Sequence, residues 1–149
     1  MPVAFLALQG FVVLFLALHD WVPLGRLNDV RAVQSADSRA RLVAVTVLST
    51  VPFAVCFAGS VYFARAPLPG WLVWTLWLSY GGVICGAVRA WWIPYLLIEE
   101  PRRAARYQMM FGRTYAFLPA RNGIRPNALH VALHAALVAV VVLLFLHSA

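Results

Sequence analysis

The chain has 149 residues, 63% of them hydrophobic and only 11% charged, a balance outside the range of ordinary soluble domains. Its twelve cations are all arginine and face five carboxylates, giving a formal charge of +7. These arginines sit within a few residues of apolar segment ends, which argues against a nucleic-acid surface and for contact with anionic lipid headgroups.

The composition predicts an all-α fold, a polytopic membrane protein forming one integral domain over residues 1–149. A transmembrane helix needs roughly 20 mostly apolar residues. Four segments meet this, at 3–22, 42–64, 71–98 and 128–147, and predict a four-transmembrane-helix bundle. The first is the shortest and is carried through the interface by Trp21 and Val22. It lacks a basic leader and a small-x-small cleavage site, so it reads as a retained span rather than a signal peptide.

After it, Pro23 and Gly25 break the helix. Asn28 is placed to cap a short surface helix beginning at Asp29, and Ser35 or Ser38 to cap the second span. That span carries Pro52 and Gly59, with Thr46, Ser49, Thr50 and Ser60 as small polar packing residues. The third runs long, from Trp71 to Ile98, with a kink expected at Pro94. Trp91, Trp92 and Tyr95 then form an aromatic belt at the interface. Cys56 and Cys85 fall at depths about 10 Å apart by helical rise, too far for a disulfide, and read as packing residues.

The segment EEPRRAARYQMMFGR predicts a short amphipathic interfacial helix between the third and fourth spans. Pro101 suits its first turn and Gly112 its end, and Met109, Met110 and Phe111 are expected to dip into lipid. An Asn-Gly turn follows at 122–123, and Asn127 is a good cap for the fourth span.

Eleven of the twelve arginines lie on one side, in the connections that follow spans one and three or, for Arg89, near the end of span three; only Arg65 lies elsewhere. The positive-inside rule then puts both long connections in the cytoplasm and both termini on the non-cytoplasmic side of a bacterial-type plasma membrane. Every carboxylate, Asp20, Asp29, Asp37, Glu99 and Glu100, shares the arginine-rich side, and so do His19, His130 and His134. Ionisable groups at membrane depth cost several kcal/mol unless paired or hydrated, and mark functional candidates.

The sequence therefore nominates Asp20, Glu99, His130, His134 and Arg89 as acid–base residues. His19, Asn28, Trp91, Trp92, Tyr95 and Tyr107 are nominated as ligand-binding residues. Asp20, then Glu99, is the expected partner of Arg89. The i, i+4 spacing of His130 and His134 lets two imidazoles share a metal, relay protons or simply hydrogen-bond between helices. No resident cofactor or metal is expected. Heme would need His19 with His130 or His134, and four histidines are too few for a histidine-rich di-iron oxygenase.

The stretch IPYLLIEEP resembles, over fewer than ten residues, the Pro and paired Glu of membrane isoprenoid cyclases of the lycopene-cyclase type. Pro94 precedes Glu99 by five positions, whereas that family places its Pro close before the acidic pair, and the family is not assigned. What the resemblance implies is a chemistry: a carboxylic acid with raised pKa protonating an alkene or epoxide while aromatic faces stabilise the cation.

The expected function is binding of a hydrophobic or amphiphilic, isoprenoid- or lipid-like small molecule in a polar pocket at the cytoplasmic face, with acid–base transformation of a cyclase or isomerase type if the chain is an enzyme. A proton-coupled transporter or channel subunit and a non-enzymatic assembly subunit are the alternatives. Membrane lipids and a hydrophobic small molecule are the expected partners, with homo-oligomerisation open.

Overall fold

The computed structural model describes residues 3–148, which are mostly helical, the longest non-helical connection being 112–127 with one isolated bridge. In chain order the helices are α1 (Val3–Leu18), α2 (Val30–Ala36), α3 (Arg39–Tyr62), α4 (Gly70–Ala87), α5 (Ile93–Leu96), α6 (Pro101–Phe111) and α7 (Ala128–Ser148). A single 3-10 turn over Gly25–Leu27 precedes α2, and a π-helical turn over Val88–Trp92 joins α4 to α5.

Three continuous helices are long and apolar enough to cross a membrane: Arg39–Tyr62, Gly70–Leu96 and Ala128–His147. α1 is apolar too but has 16 residues, so the first predicted span ends four residues early, at Leu18 instead of residue 22. The reason is local. Trp21 and Val22 both turn their N–H groups back onto the Leu18 carbonyl, and the Trp21 indole donates to Thr46 Oγ1 on α3 at 2.9 Å.

α1 packs on α3 and α7, and α4 packs on the same two, so the four long helices close a ring. Each turns one narrow stripe inward. On α1 it is Phe5, Gln9, Val12 and Phe15; on α4 Leu72, Leu76 and Tyr80; on α7 Leu133, Leu137, Val140 and Leu144. These recur at the three- and four-residue spacing of one helical face. The opposite faces are just as apolar, with Leu48, Trp74 and Leu78 69–74% exposed. A helix hydrophobic all round is one whose outer face meets lipid or another apolar surface.

The interior is not wholly apolar. Gln9 and Ser60, both fully buried, are joined by a 3.0 Å hydrogen bond from Gln9 Nε2 to Ser60 Oγ. Cys56 is buried, Cys85 is exposed, and both are free thiols.

The end signals fall close to where the sequence puts them. Ser38 caps α3 through the Arg41 N–H, Pro101 opens α6, and Gly112 follows its end. Asn122 and Gly123 take φ of +49° and +72°, closing a tight turn in which Arg121 and Ile124 exchange both backbone hydrogen bonds. One cap is shifted: Asp29, not Asn28, caps α2, accepting from the Ala32 N–H at 3.0 Å. Asn28 instead clamps the loop before it.

Candidate functional site

The site begins with a proline. Pro94 has no N–H to give the Ala90 carbonyl one turn earlier, and the helix responds by widening, so that the Ile93 N–H reaches back five residues to the Val88 carbonyl. The released Ala90 carbonyl is taken by two donors from α6, Arg103 Nη1 at 2.9 Å and Tyr107 Oη at 3.1 Å. One widened turn thus anchors α6 and carries the buried Trp91 ring. Such π turns often mark functional positions.

Arg89 finds its partner through the same turn. Its Nη1 meets Glu100 Oε1 at 2.8 Å, and Arg103 Nε meets Glu100 Oε2 at 2.9 Å. This corrects the expectation of Asp20 or Glu99. The chain breaks after Leu96 and folds Glu100 back over the widened turn, leaving Glu99 exposed and outside the cluster. Partial desolvation pushes the Glu100 carboxyl up, but the hydrogen bonds and charges of Arg89 and Arg103 outweigh it and hold it below its ordinary value.

Inside this frame three imidazoles form a row. The His19 ring lies 5.7 Å from that of His130, which lies 6.3 Å from that of His134. Aromatic rings wall the row. Phe15 stacks on His19 at 4.5 Å, while Trp91 and Phe111 meet His130 at 4.6 and 5.0 Å. Trp92 meets His134 at 5.9 Å. Tyr107 stacks on Trp91 at 4.3 Å, and burial is the main cause raising its phenol pKa.

Hydrogen bonds fix which ring atoms can act. His19 Nδ1 is 2.8 Å from the Phe15 carbonyl, which only accepts, so Nδ1 carries a hydrogen. His19 Nε2 then faces Asp20 Oδ1 at 3.2 Å, a contact that is attractive only when one proton sits between them. Desolvation raises the Asp20 pKa, with His19 opposing and the nearby Asp37 adding. For His130, Asn127 Oδ1 accepts both the backbone N–H at 2.9 Å and ring Nδ1 at 2.7 Å, leaving Nε2 as its free atom. His134 Nδ1 is buried and has no hydrogen-bond partner. A buried polar atom in that state costs about 1–3 kcal/mol and calls for an explanation.

His134 also heads a groove. About 490 Å3 of open space runs along α7, lined by Trp92, Val131, His134, Ala135, Val138, Ala139 and Val142. The α7 residues share one helical face, and the two alanines make the groove deep. No charged side chain lines it.

Of the eleven nominated residues, Asp20, His19, His130, His134, Trp91, Trp92 and Tyr107 come together. Tyr95 is buried but turned away, donating to the Pro119 carbonyl at 3.0 Å. The Asn28 amide is consumed by Leu24, His19 and Val22 backbone groups. Arg89 is held at the rim by Glu100, with 62% of its side chain exposed. Phe15, Phe111 and the second hydrogen bond of Asn127 were not anticipated, whereas pairing of Glu100 with Arg103 is the capping arrangement the EEPRR stretch allows. Phe15 stands one turn before His19, a usable signal. Phe111, expected in lipid, packs on Trp91 and His130 instead. Among the described residues no group of three or more His, Cys, Asp or Glu is placed to hold a metal ion.

The fold defines a class: an all-helical chain with three helices long and apolar enough to span a membrane, compatible with an integral membrane protein. No family model matches the chain, and no curated protein or solved structure matches it either.

Proposed function

We propose that the chain is a four-helix integral membrane protein, with α1 as a short fourth span and α6 lying on the membrane surface, that binds an isoprenoid- or lipid-like amphiphile in the groove headed by His134 and Trp92. Two observations carry this reading: His134 lines one end of an otherwise apolar groove, and its Nδ1 is buried without a hydrogen-bond partner. An apolar tail lying along the α7 face of Ala135, Val138, Ala139 and Val142 leaves the ligand's polar head beside the His134 ring. A few placed polar groups in an apolar site are the usual pattern for such recognition.

The Asp20–His19 pair and His130 give the reading its acid–base side. The pair shares one proton, and His130 stands between it and His134, so a proton lost or gained at the ligand's head has a path of imidazoles to a carboxylate. The aromatic walls suit a cationic or electron-poor ligand centre. The arginine-rich end, with both long connections, is assigned to the cytoplasm on the positive-inside pattern.

The test is photolabelling of the purified full chain by a long-chain alcohol carrying a diazirine near its hydroxyl. Label is expected on Trp92 and on the first half of α7, and His134→Ala should weaken competition by unlabelled alcohol roughly tenfold, the value of one hydrogen bond. Label spread evenly over all outward helix faces would sink the proposal.

A further inference from the structure

A second, polar cleft of about 650 Å3 opens between α2 and the end of α6 at the arginine-rich end of the bundle, lined by Asp29, Arg31, Ala32, Ser35, Gln108, Met109, Gly112 and Arg113. Its two arginines are not among those held in ion pairs. Arg41 and Arg106 pair with Asp37, and Arg89 and Arg103 with Glu100. Arg31 and Arg113 are exposed, and among the described residues neither makes an ion pair or a side-chain hydrogen bond. Two unpaired guanidiniums delivered to one cleft from separate helices repel each other until an anion joins them, and phosphate oxygens match their fork of donors.

The third charge in the cleft narrows the choice. Asp29 accepts from the Ala32 N–H as the cap of α2 and lines the cleft together with the two arginines. Two guanidiniums and one carboxylate leave a net charge of one plus, which complements a singly charged phosphodiester better than a doubly charged phosphomonoester. The wall is also part apolar, since Met109 is 55% exposed there. We propose that this cleft binds the phosphodiester headgroup of an anionic membrane lipid, with Arg31 and Arg113 on the phosphate and Met109 under the glycerol. The inference takes from the proposed function only the placement of α6 on the membrane surface, where α2 packs against it, and does not involve the groove at His134.

The experiment uses the full chain in nanodiscs of equal phosphatidylglycerol and phosphatidylcholine, with lipids retained on release counted by native mass spectrometry. The wild-type chain is expected to retain phosphatidylglycerol over phosphatidylcholine by roughly tenfold. Arg31→Gln with Arg113→Gln should bring the ratio close to one, while Arg65→Gln, in the other connection, should leave it unchanged. Met109→Ser should lower retention with both arginines present. An unchanged ratio in the double variant, or a wild-type ratio near one, overturns the proposal. Displacement of the retained lipid by millimolar inorganic phosphate, where chloride does nothing, overturns the lipid in favour of a soluble phosphate. His134→Ala should not alter the ratio, so failure of the groove reading and failure of this one are distinguishable.

Discussion

At the scale of single residues, two carboxylates carry opposite pH signatures. Glu100 is held below its ordinary value of 4.5 by Arg89 and Arg103, so its contribution to stability is present above that value and is lost as pH falls through the lower, folded-state one. Thermal melting in detergent should show this acid loss, and Glu100→Gln should flatten it. Asp20 behaves in the other direction. Burial raises it above 3.8, so the folded chain holds a proton that the unfolded chain releases, and stability falls as pH rises from 3.8 through the raised value. Asp20→Asn should remove that fall while preserving ligand retention and abolishing any proton-transfer activity. A variant that loses both insertion and ligand would identify Asp20 as a structural residue only.

The residue scale is also where sequence reading is least complete. That His19, His130 and His134 meet near Trp91 follows from topology, because they end or begin helices on one side of the ring. That Arg89 pairs with Glu100 does not follow, because the fold-back after Leu96 depends on where the helix breaks. The buried Gln9–Ser60 bond was equally hidden: both residues sit in apolar runs, and nothing local says that they face each other.

At the scale of elements, the widened turn over Val88–Trp92 is the device that couples α6 to the groove. Pro94 frees the Ala90 carbonyl, Arg103 and Tyr107 occupy it, and Trp92, in the same turn, lies against His134. Tyr107→Phe should cost about 1 kcal/mol in stability, since Arg103 still serves the carbonyl. Pro94→Ala should restore an ordinary helical hydrogen bond and turn Trp92 away from α7. The Trp92 change is expected to appear as reduced ligand retention without loss of helicity by circular dichroism. Unchanged retention would show that the π turn does not set the groove. The proline was legible as a kink, and its consequence as a π turn was not, because the chain can answer a missing N–H by bending, breaking or widening. Caps and turns were legible to within a residue, as at Asn127, Ser38 and Asn122–Gly123, because their geometry is decided by side chains close in sequence.

At the scale of the whole molecule, hydrophobicity decides the architecture. Long helices that are apolar on every face, closed into a ring with a narrow buried stripe, leave apolar outer surfaces of the kind an integral membrane protein presents. The sequence makes this legible for three helices and less so for α1, whose last predicted turn is used by Trp21 to reach α3. The arginines gather at the end that also holds the imidazole row, so one end of the molecule carries both proposed ligand contacts. The groove and the polar cleft differ in chemistry, the first without a charged lining and the second with three charged side chains.

The central claim is that the α7 groove holds an amphiphile against His134, and native mass spectrometry of the full chain released from nanodiscs of total membrane extract tests it most directly. The wild-type chain is expected to retain one apolar small molecule that Ala139→Trp, which fills the groove, excludes and that Asp20→Asn keeps. An empty wild-type chain, or a ligand retained equally by Ala139→Trp, would contradict the account.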